Sequence, residues 1–154
     1  MPSVRFEPLA ESHLSDVLRI ERACQTAPWS EASFRNEIGY PHGVFLVALS
    51  DTEVAGFGGC WIVVDEAHIT TLAVDPSHRR KGIGRLIMDA LLERAARMGA
   101  TCSTLEVRAS NEPAIRLYEQ MGYVATARRK RYYPDNREDA LVMWLHDLSH
   151  WSKP

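Results

Sequence analysis

Between residues 44 and 74 the chain runs through three stretches of apolar and β-branched residues, interrupted only by Asp51-Thr52 and Asp65-Glu66. Gaps that short leave room for a hairpin turn and little else. The stretches 44–49, 54–64 and 67–74 are therefore read as neighbouring antiparallel strands of a meander. Asp75-Pro76-Ser77 ends the third. A helix follows it, because Ile83, Leu86, Ile87, Ala90, Leu91, Ala95 and Met98 recur with helical period. Gly99 stands where a helix C-terminus takes glycine.

The flanking segments complete an alternating pattern. Val4 and Phe6 mark a short strand. Leu14, Val17, Leu18, Ile20 and Glu21 mark a helix over 11–24. Pro28-Trp29 interrupts that helix, and Ser30 caps a second short one running to 38. Residues 39–43 form a loop. Residues 104–109 read as a strand, and Asn111 caps a helix with Pro113 in its first turn and Ile115, Leu117, Tyr118 and Met121 following. Gly122 ends it. Residues 123–131 and 139–145 read as two closing strands. The order β-α-α-β-β-β-α-β-α-β-β implies an α/β (mixed α+β) fold with helices on both faces of a central sheet. A chain of 154 residues fits one domain. We assign 1–146 to it and read 147–154, which carries no motif, as a C-terminal tail.

Composition excludes several function classes. The three cysteines, Cys24, Cys60 and Cys102, lack CxxC spacing and paired histidines. They argue against a disulfide framework or a metal site and suit a reducing cytoplasm. A net charge of −2 gives no overall field for nucleic acid, so direct nucleic-acid binding is not expected. No apolar run is long enough for a membrane span, and no N-terminal segment reads as a signal peptide. Positive charge is local, at 78–81 and 128–131. The second of these clusters reads as a solvated strand edge or as a hold on an acidic or RNA-associated partner.

The first basic cluster opens the stretch Arg79-Arg80-Lys81-Gly82-Ile83-Gly84-Arg85. It matches neither GxGxxG nor GxxxxGK[ST]. Taken alone it reads as a polar turn before a helix, or as an anion site. The physics of an anion site is favourable: the helix start leaves N–H groups unpaired and carries partial positive charge. Glycine lets backbone approach an anion closely.

With its context, "LAVDPSHRRKGIGRLIM" resembles the acetyl-coenzyme A motif of the GNAT (Gcn5-related) N-acetyltransferases, whose turn Arg/Gln-x-x-Gly-x-Gly/Ala is matched by Arg79, Gly82 and Gly84. "LEVRASNEPAIRLYEQMGY" resembles the second core motif of that family. The GNAT fold, with a mostly antiparallel central sheet, is implied over essentially the whole chain. "PWSEASF", "DEAHITTLAVDP" and above all "RRKRYYPDNREDALVM" carry a closer resemblance, to RimI-type enzymes. Those enzymes acetylate the N-terminal residue, alanine, of a small-subunit ribosomal protein. The resemblance implies acetyl-CoA as co-substrate and no metal. It implies backbone contacts to the pantetheine arm from Leu72, Ala73 and Val74. It implies a pyrophosphate turn at Arg80, Lys81, Gly82, Ile83, Gly84 and Arg85, and a coenzyme contact at Asn111. Glu106 falls on the general base and Tyr118 on the general acid. Trp29, Asp65, Glu66, Tyr132, Tyr133 and Arg137 fall on the acceptor side.

On the residues alone these positions have plainer readings. Strand alternation sets Leu105, Val107 and Ala109 on one face and Glu106 and Arg108 on the other. Glu106 then reads as a strand carboxylate paired with an arginine, Tyr118 as core packing and Asn111 as a cap. The chemistry itself asks for few groups. A base removes one proton from the amine, an acid reprotonates the thiolate, and a backbone N–H such as that of Val74 serves a developing oxyanion. At pH 7 freeing an α-amine of pKa near 8 costs about 1.4 kcal/mol, against about 4.6 for a lysine near 10.4. An N-terminal amine is thus the easier acceptor. The alternatives are a GNAT acting on lysine, other N-termini or a small amine, and a non-catalytic coenzyme-binding module with no need of Glu106 or Tyr118.

Overall fold

The computed structural model describes residues 3–152. Its strands are β1 (Arg5–Pro8), β2 (Gly43–Ser50), β3 (Glu53–Val63), β4 (Glu66–Val74), β5 (Cys102–Arg108), β6 (Val124–Arg129) and β7 (Ala140–Leu145). Its helices are α1 (Leu14–Cys24), α2 (Glu31–Glu37), α3 (Ile83–Arg97) and α4 (Glu112–Met121). The strands form one 7-stranded sheet in the order β1-β2-β3-β4-β5-β7-β6. Every neighbouring pair is antiparallel except β4 and β5, which run parallel. The mixed α/β architecture and element order are those read from the sequence.

Local chemistry fixes the boundaries. Ser30 Oγ accepts the Ser33 N–H at 3.2 Å and Asn111 Oδ1 accepts the Ala114 N–H at 3.3 Å, each capping its helix. Two short 3₁₀ turns, Glu11–His13 and Pro76–His78, precede α1 and α3. The expected start of the first helix at residue 11 therefore falls in the tighter turn, where His13 Nδ1 accepts the Ala10 N–H at 3.0 Å. The second hairpin turns one residue earlier than read. Val63 pairs with Glu66, so Val64 and Asp65 form the loop, with Val64 at φ +58°. A β-branched residue there is strained, and apolar character alone had assigned it to the strand.

Two apolar layers sandwich the sheet. On one face α3 contributes Ile87, Leu91 and Ala95 to a core shared with Leu105, Met143 and Leu145. Its close approach is set by Gly58, where a Cβ would lie 2.7 Å from Ile87 Cγ2. On the other face α1 and α2 bury Val17, Ile20 and Phe34 against Phe45 and Phe57. Phe34 meets Phe45 and Phe57 edge-on at 5.9 and 5.6 Å between centroids. Residues beyond β7 also pack: Leu148 is 1 % exposed, and Trp151 Nε1–H donates to Asp89 of α3 at 3.0 Å. Among the described residues no helix is long and apolar enough to cross a membrane.

One irregularity creates the cleft. The parallel ladder between β4 and β5 runs only from Glu66↔Cys102 to His68↔Thr104. Beyond it both strands keep their outer partners, β3 and β7, and part from each other. At the point of divergence β4 carries a bulge, because Gly59 pairs with Thr71 and Cys60 with Ile69, leaving Thr70 unpaired.

Candidate active site

The divergence opens a cleft of about 320 Å³. Its β4 wall is Ile69 to Leu72 and its β5 wall Leu105 to Arg108. Glu21 and Trp29 close it from the α1 side, Asn111 and Tyr118 from α4, and Tyr133 from the β6–β7 loop. From Leu72 to Val74 the β4 edge facing away from β3 has no strand partner. The Val74 carbonyl there accepts the Cys24 S–H at 3.4 Å, and the remaining outward backbone groups can bind an extended, amide-bearing ligand.

Glu106 projects into this cleft at the middle of β5. Its Oε2 lies 2.8 Å from Arg129 Nε, and Tyr132 O–H donates to Oε1 at 3.3 Å. The pairing with an arginine read from strand alternation is therefore present. It does not remove Glu106 from the cleft, because its side chain stays about one-third exposed. Tyr118 comes from α4, is 7 % exposed and stacks edge-on against Tyr123 at 5.8 Å. Its hydroxyl makes no hydrogen bond among the described residues, and burial pushes its pKa up to about 12. The phenol is thus a protonated donor at neutral pH.

The glycine turn lies past the end of β4. Arg80 and Gly82 both take positive φ, +66° and +77°, so the chain winds tightly into α3. Gly82 is the N-cap and supplies no side-chain hydrogen bond, and the first turn of α3 holds no acidic residue. Its leading amides are therefore uncapped by any side chain. Arg80 and Lys81 enter no ion pair among the described residues, whereas Arg85 pairs with Asp89 at 3.2 Å and Arg79 donates to Cys24 Sγ at 3.3 Å. An anionic diphosphate fits this arrangement of free amides and free cations.

The acceptor-side expectations divide. Trp29 and Tyr133 line the cleft, and Tyr132 reaches it through Glu106. Arg137, at φ +58°, donates its backbone N–H to the Tyr133 carbonyl at 2.7 Å and does not line the cleft. Asp65 and Glu66 lie at the opposite end of β4, in the hairpin. There Asp65 Oδ2 accepts from Thr101 Oγ1 at 2.9 Å, and Glu66 faces His68 at 2.8 Å. Their sequence motif is continuous with the cleft wall, but an extended strand carries its two ends far apart.

Sequence reasoning missed Glu21, Thr70, Arg108 and Asp135. Arg108 bridges the loops on either side of the cleft, donating to Asp135 Oδ2 at 3.0 Å while its guanidinium lies 4.0 Å over the Tyr133 ring. Thr26 O–H donates to the same Asp135 oxygen at 2.6 Å. Those bonds hold the Asp135 carboxyl down at about 2, the Thr26 bond first and Arg108 next. Glu21 did leave a signal: a carboxylate within the apolar stripe of α1 needs a buried partner.

Comparison with known proteins closes the assignment. The family model described as Acetyltransferase (GNAT) family matches residues 14–123, and the chain belongs to that family of acyltransferases. A ribosomal protein bS18-alanine N-acetyltransferase of Escherichia coli (strain K12) is 37 % identical over 139 residues, 89 % of this chain and 93 % of its own length. A Bacillus subtilis (strain 168) protein provisionally named for the same activity is 39 % identical over 133 residues, 86 % of this chain and 88 % of its own length. The crystal structure of the Escherichia coli ribosomal-protein-S18-alanine N-acetyltransferase superposes with a TM-score of 0.84 at 34 % identity, over 93 % of each chain.

Proposed function

We propose that this enzyme transfers the acetyl group of acetyl-CoA to the N-terminal α-amine, an alanine, of the small-subunit ribosomal protein bS18. The observation that carries the reading is the cleft between the parted β4 and β5. It joins a free strand edge and an uncapped helix start to a carboxylate and a protonated phenol on the walls. Relatives named for this acceptor match nearly the whole chain. The acetyltransferase domain runs past the boundary read at 146, because Leu148 belongs to its core and Trp151 bonds Asp89 of α3. The reaction belongs in the cytoplasm, which suits the free cysteines Cys24, Cys60 and Cys102.

Acetyl-CoA supplies an activated acetyl group, and the protein's share is binding and proton handling. Leu72 and Val74 offer outward-facing backbone groups to the pantetheine arm, with Asn111 beside it, whereas the Ala73 N–H and C=O face Phe57 of β3. Arg80, Lys81, Gly82, Ile83, Gly84 and Arg85 hold the pyrophosphate. Glu106 takes the amine's proton, directly or through one water, while Arg129 and Tyr132 fix its orientation. Tyr118 stabilises and then protonates the departing thiolate. Trp29, Tyr132 and Tyr133 border the acceptor's path. No metal is needed for these steps.

The test is incubation with acetyl-CoA and an N-terminal bS18 peptide, followed by mass spectrometry. Acetylation at the α-amine is expected. Turnover on a small amine or on lysine side chains, with none on any free peptide N-terminus, would refute the reading.

A further inference from the structure

Two polar atoms of the cleft wall are shielded from solvent and have no hydrogen-bond partner: Glu21 Oε1 and Thr70 Oγ1. Glu21 is 1 % exposed. Its other oxygen, Oε2, accepts the Trp29 N–H at 2.9 Å and so braces the α1–α2 connection. That structural duty uses one oxygen and leaves the other free. Thr70 sits on the β4 bulge, where the ladder has released it. Both residues line the same cleft as Glu106 and Tyr118. A buried acceptor left unsatisfied is costly, and native proteins keep such groups chiefly where a ligand or trapped water completes them.

We propose that Glu21 and Thr70 form a receptor for the acceptor's free amino terminus, with Glu21 Oε1 accepting an N–H of the α-ammonium and Thr70 Oγ1 a second polar contact to the same residue. This rests on the function proposed above. The α-ammonium is the one cationic donor that every such acceptor brings. After Glu106 has removed a proton the amine still has N–H groups to spare, so Glu21 can hold it while its lone pair attacks. The two carboxylates then divide the work: Glu106, tied to Arg129, moves the proton, and Glu21 selects and positions the amine.

A binding cycle tests this without turnover. CoA-saturated enzyme is titrated calorimetrically with an alanine-initiated bS18 peptide and with its des-amino analogue, propionyl in place of alanyl. Wild type should prefer the amine by about ten- to a hundredfold, the range of a charge-assisted hydrogen bond. Glu21→Gln, which keeps an oxygen for the Trp29 N–H, should shrink that preference to about threefold or less, with CoA affinity unchanged. Thr70→Val, which leaves the brace untouched, should reduce peptide affinity by a smaller factor. The receptor is overturned if E21Q keeps the full preference, if wild type shows none, or if T70V binds peptide like wild type. Acetylation of the peptide by wild type in a parallel assay separates the cases. With turnover present, only the Glu21 assignment falls. With neither binding nor turnover, the acceptor reading falls and this one with it.

Discussion

At the residue scale, Glu106 and Tyr118 make demands on rate that coenzyme binding does not share. If Glu106 is the base, Glu106→Gln should lower kcat by about 10²- to 10⁴-fold, the usual worth of a positioned base. Coenzyme affinity should not change. Tyr118→Phe should also lower kcat without altering coenzyme affinity. A coenzyme-binding module would lose no rate, so steady-state kinetics beside equilibrium CoA binding decide between the two. Glu21 carries a different signature. Burial raises its pKa above 4.5, and the Trp29 amide offsets this only in part. The folded state therefore binds the proton more tightly than the unfolded one. From 4.5 up through the folded value this group's contribution to stability falls as pH rises. The wild-type Tm should drop relative to that of E21Q over that window, and a Tm gap independent of pH would contradict it. Pattern reading found Glu21 on the apolar stripe but could not find its partner, because the Trp29 amide lies across an irregular connection.

Elements were legible where local chemistry sets them. Ser30 and Asn111 cap the helices they were read to cap, and Gly99 and Gly122 take the positive φ that ends theirs. The divergence of β4 from β5 left no sequence mark. It depends on a three-pair parallel register between segments separated by all of α3, and non-local pairing has no local code. Two predictions belong here. A Cβ at Gly84 would meet only Leu117 and Val74, at 3.6 and 3.8 Å, which is ordinary contact. Gly84→Ala should therefore leave the fold intact and raise helix propensity by about 0.8–1 kcal/mol. It should nonetheless weaken coenzyme binding, if a diphosphate approaches that backbone. Retained CoA affinity in a calorimetric titration would show that the glycine serves packing alone. The loop bridge Thr26–Asp135–Arg108 gives the second. Asp135→Asn should lower acceptor kcat/KM while sparing the KM for acetyl-CoA, because both tied loops border the path proposed for the acceptor. The Asp135 pKa is depressed from 3.8 to about 2, so the bridge is complete above 3.8 and fails only as pH falls toward 2. It should contribute no pH dependence to assays near neutrality.

At the scale of the whole molecule, the segment after β7 links the chain's end to the helix that bears the glycine turn. Leu148 completes the core on the α3 face, and its N–H donates to the Thr101 carbonyl at 3.0 Å, beside the start of β5. Trp151 Nε1–H shares Asp89 Oδ1 with Arg85, so one carboxylate joins the C-terminal segment to the second residue after Ile83 of α3. Nothing in 147–154 marks this from sequence, because one leucine and one tryptophan make no period and their partners lie in other elements. The energetic consequences differ between the two residues. Removing a fully buried leucine side chain costs about 2–5 kcal/mol through lost transfer energy and the cavity left behind. Trp151 is only partly buried, and losing its indole hydrogen bond to a half-exposed carboxylate costs far less. Leu148→Ala should therefore lower the urea midpoint sharply, and Trp151→Phe only slightly. The kinetic effects should run the other way. Freed from the indole, Asp89 binds Arg85 alone and draws it from the proposed pyrophosphate turn, so W151F should raise the KM for acetyl-CoA severalfold. L148A, assayed where it is still folded, should leave that KM near the wild-type value. Equal loss of coenzyme affinity in both variants would mean that the segment acts through global stability, with no path from Trp151 through Asp89 to Arg85.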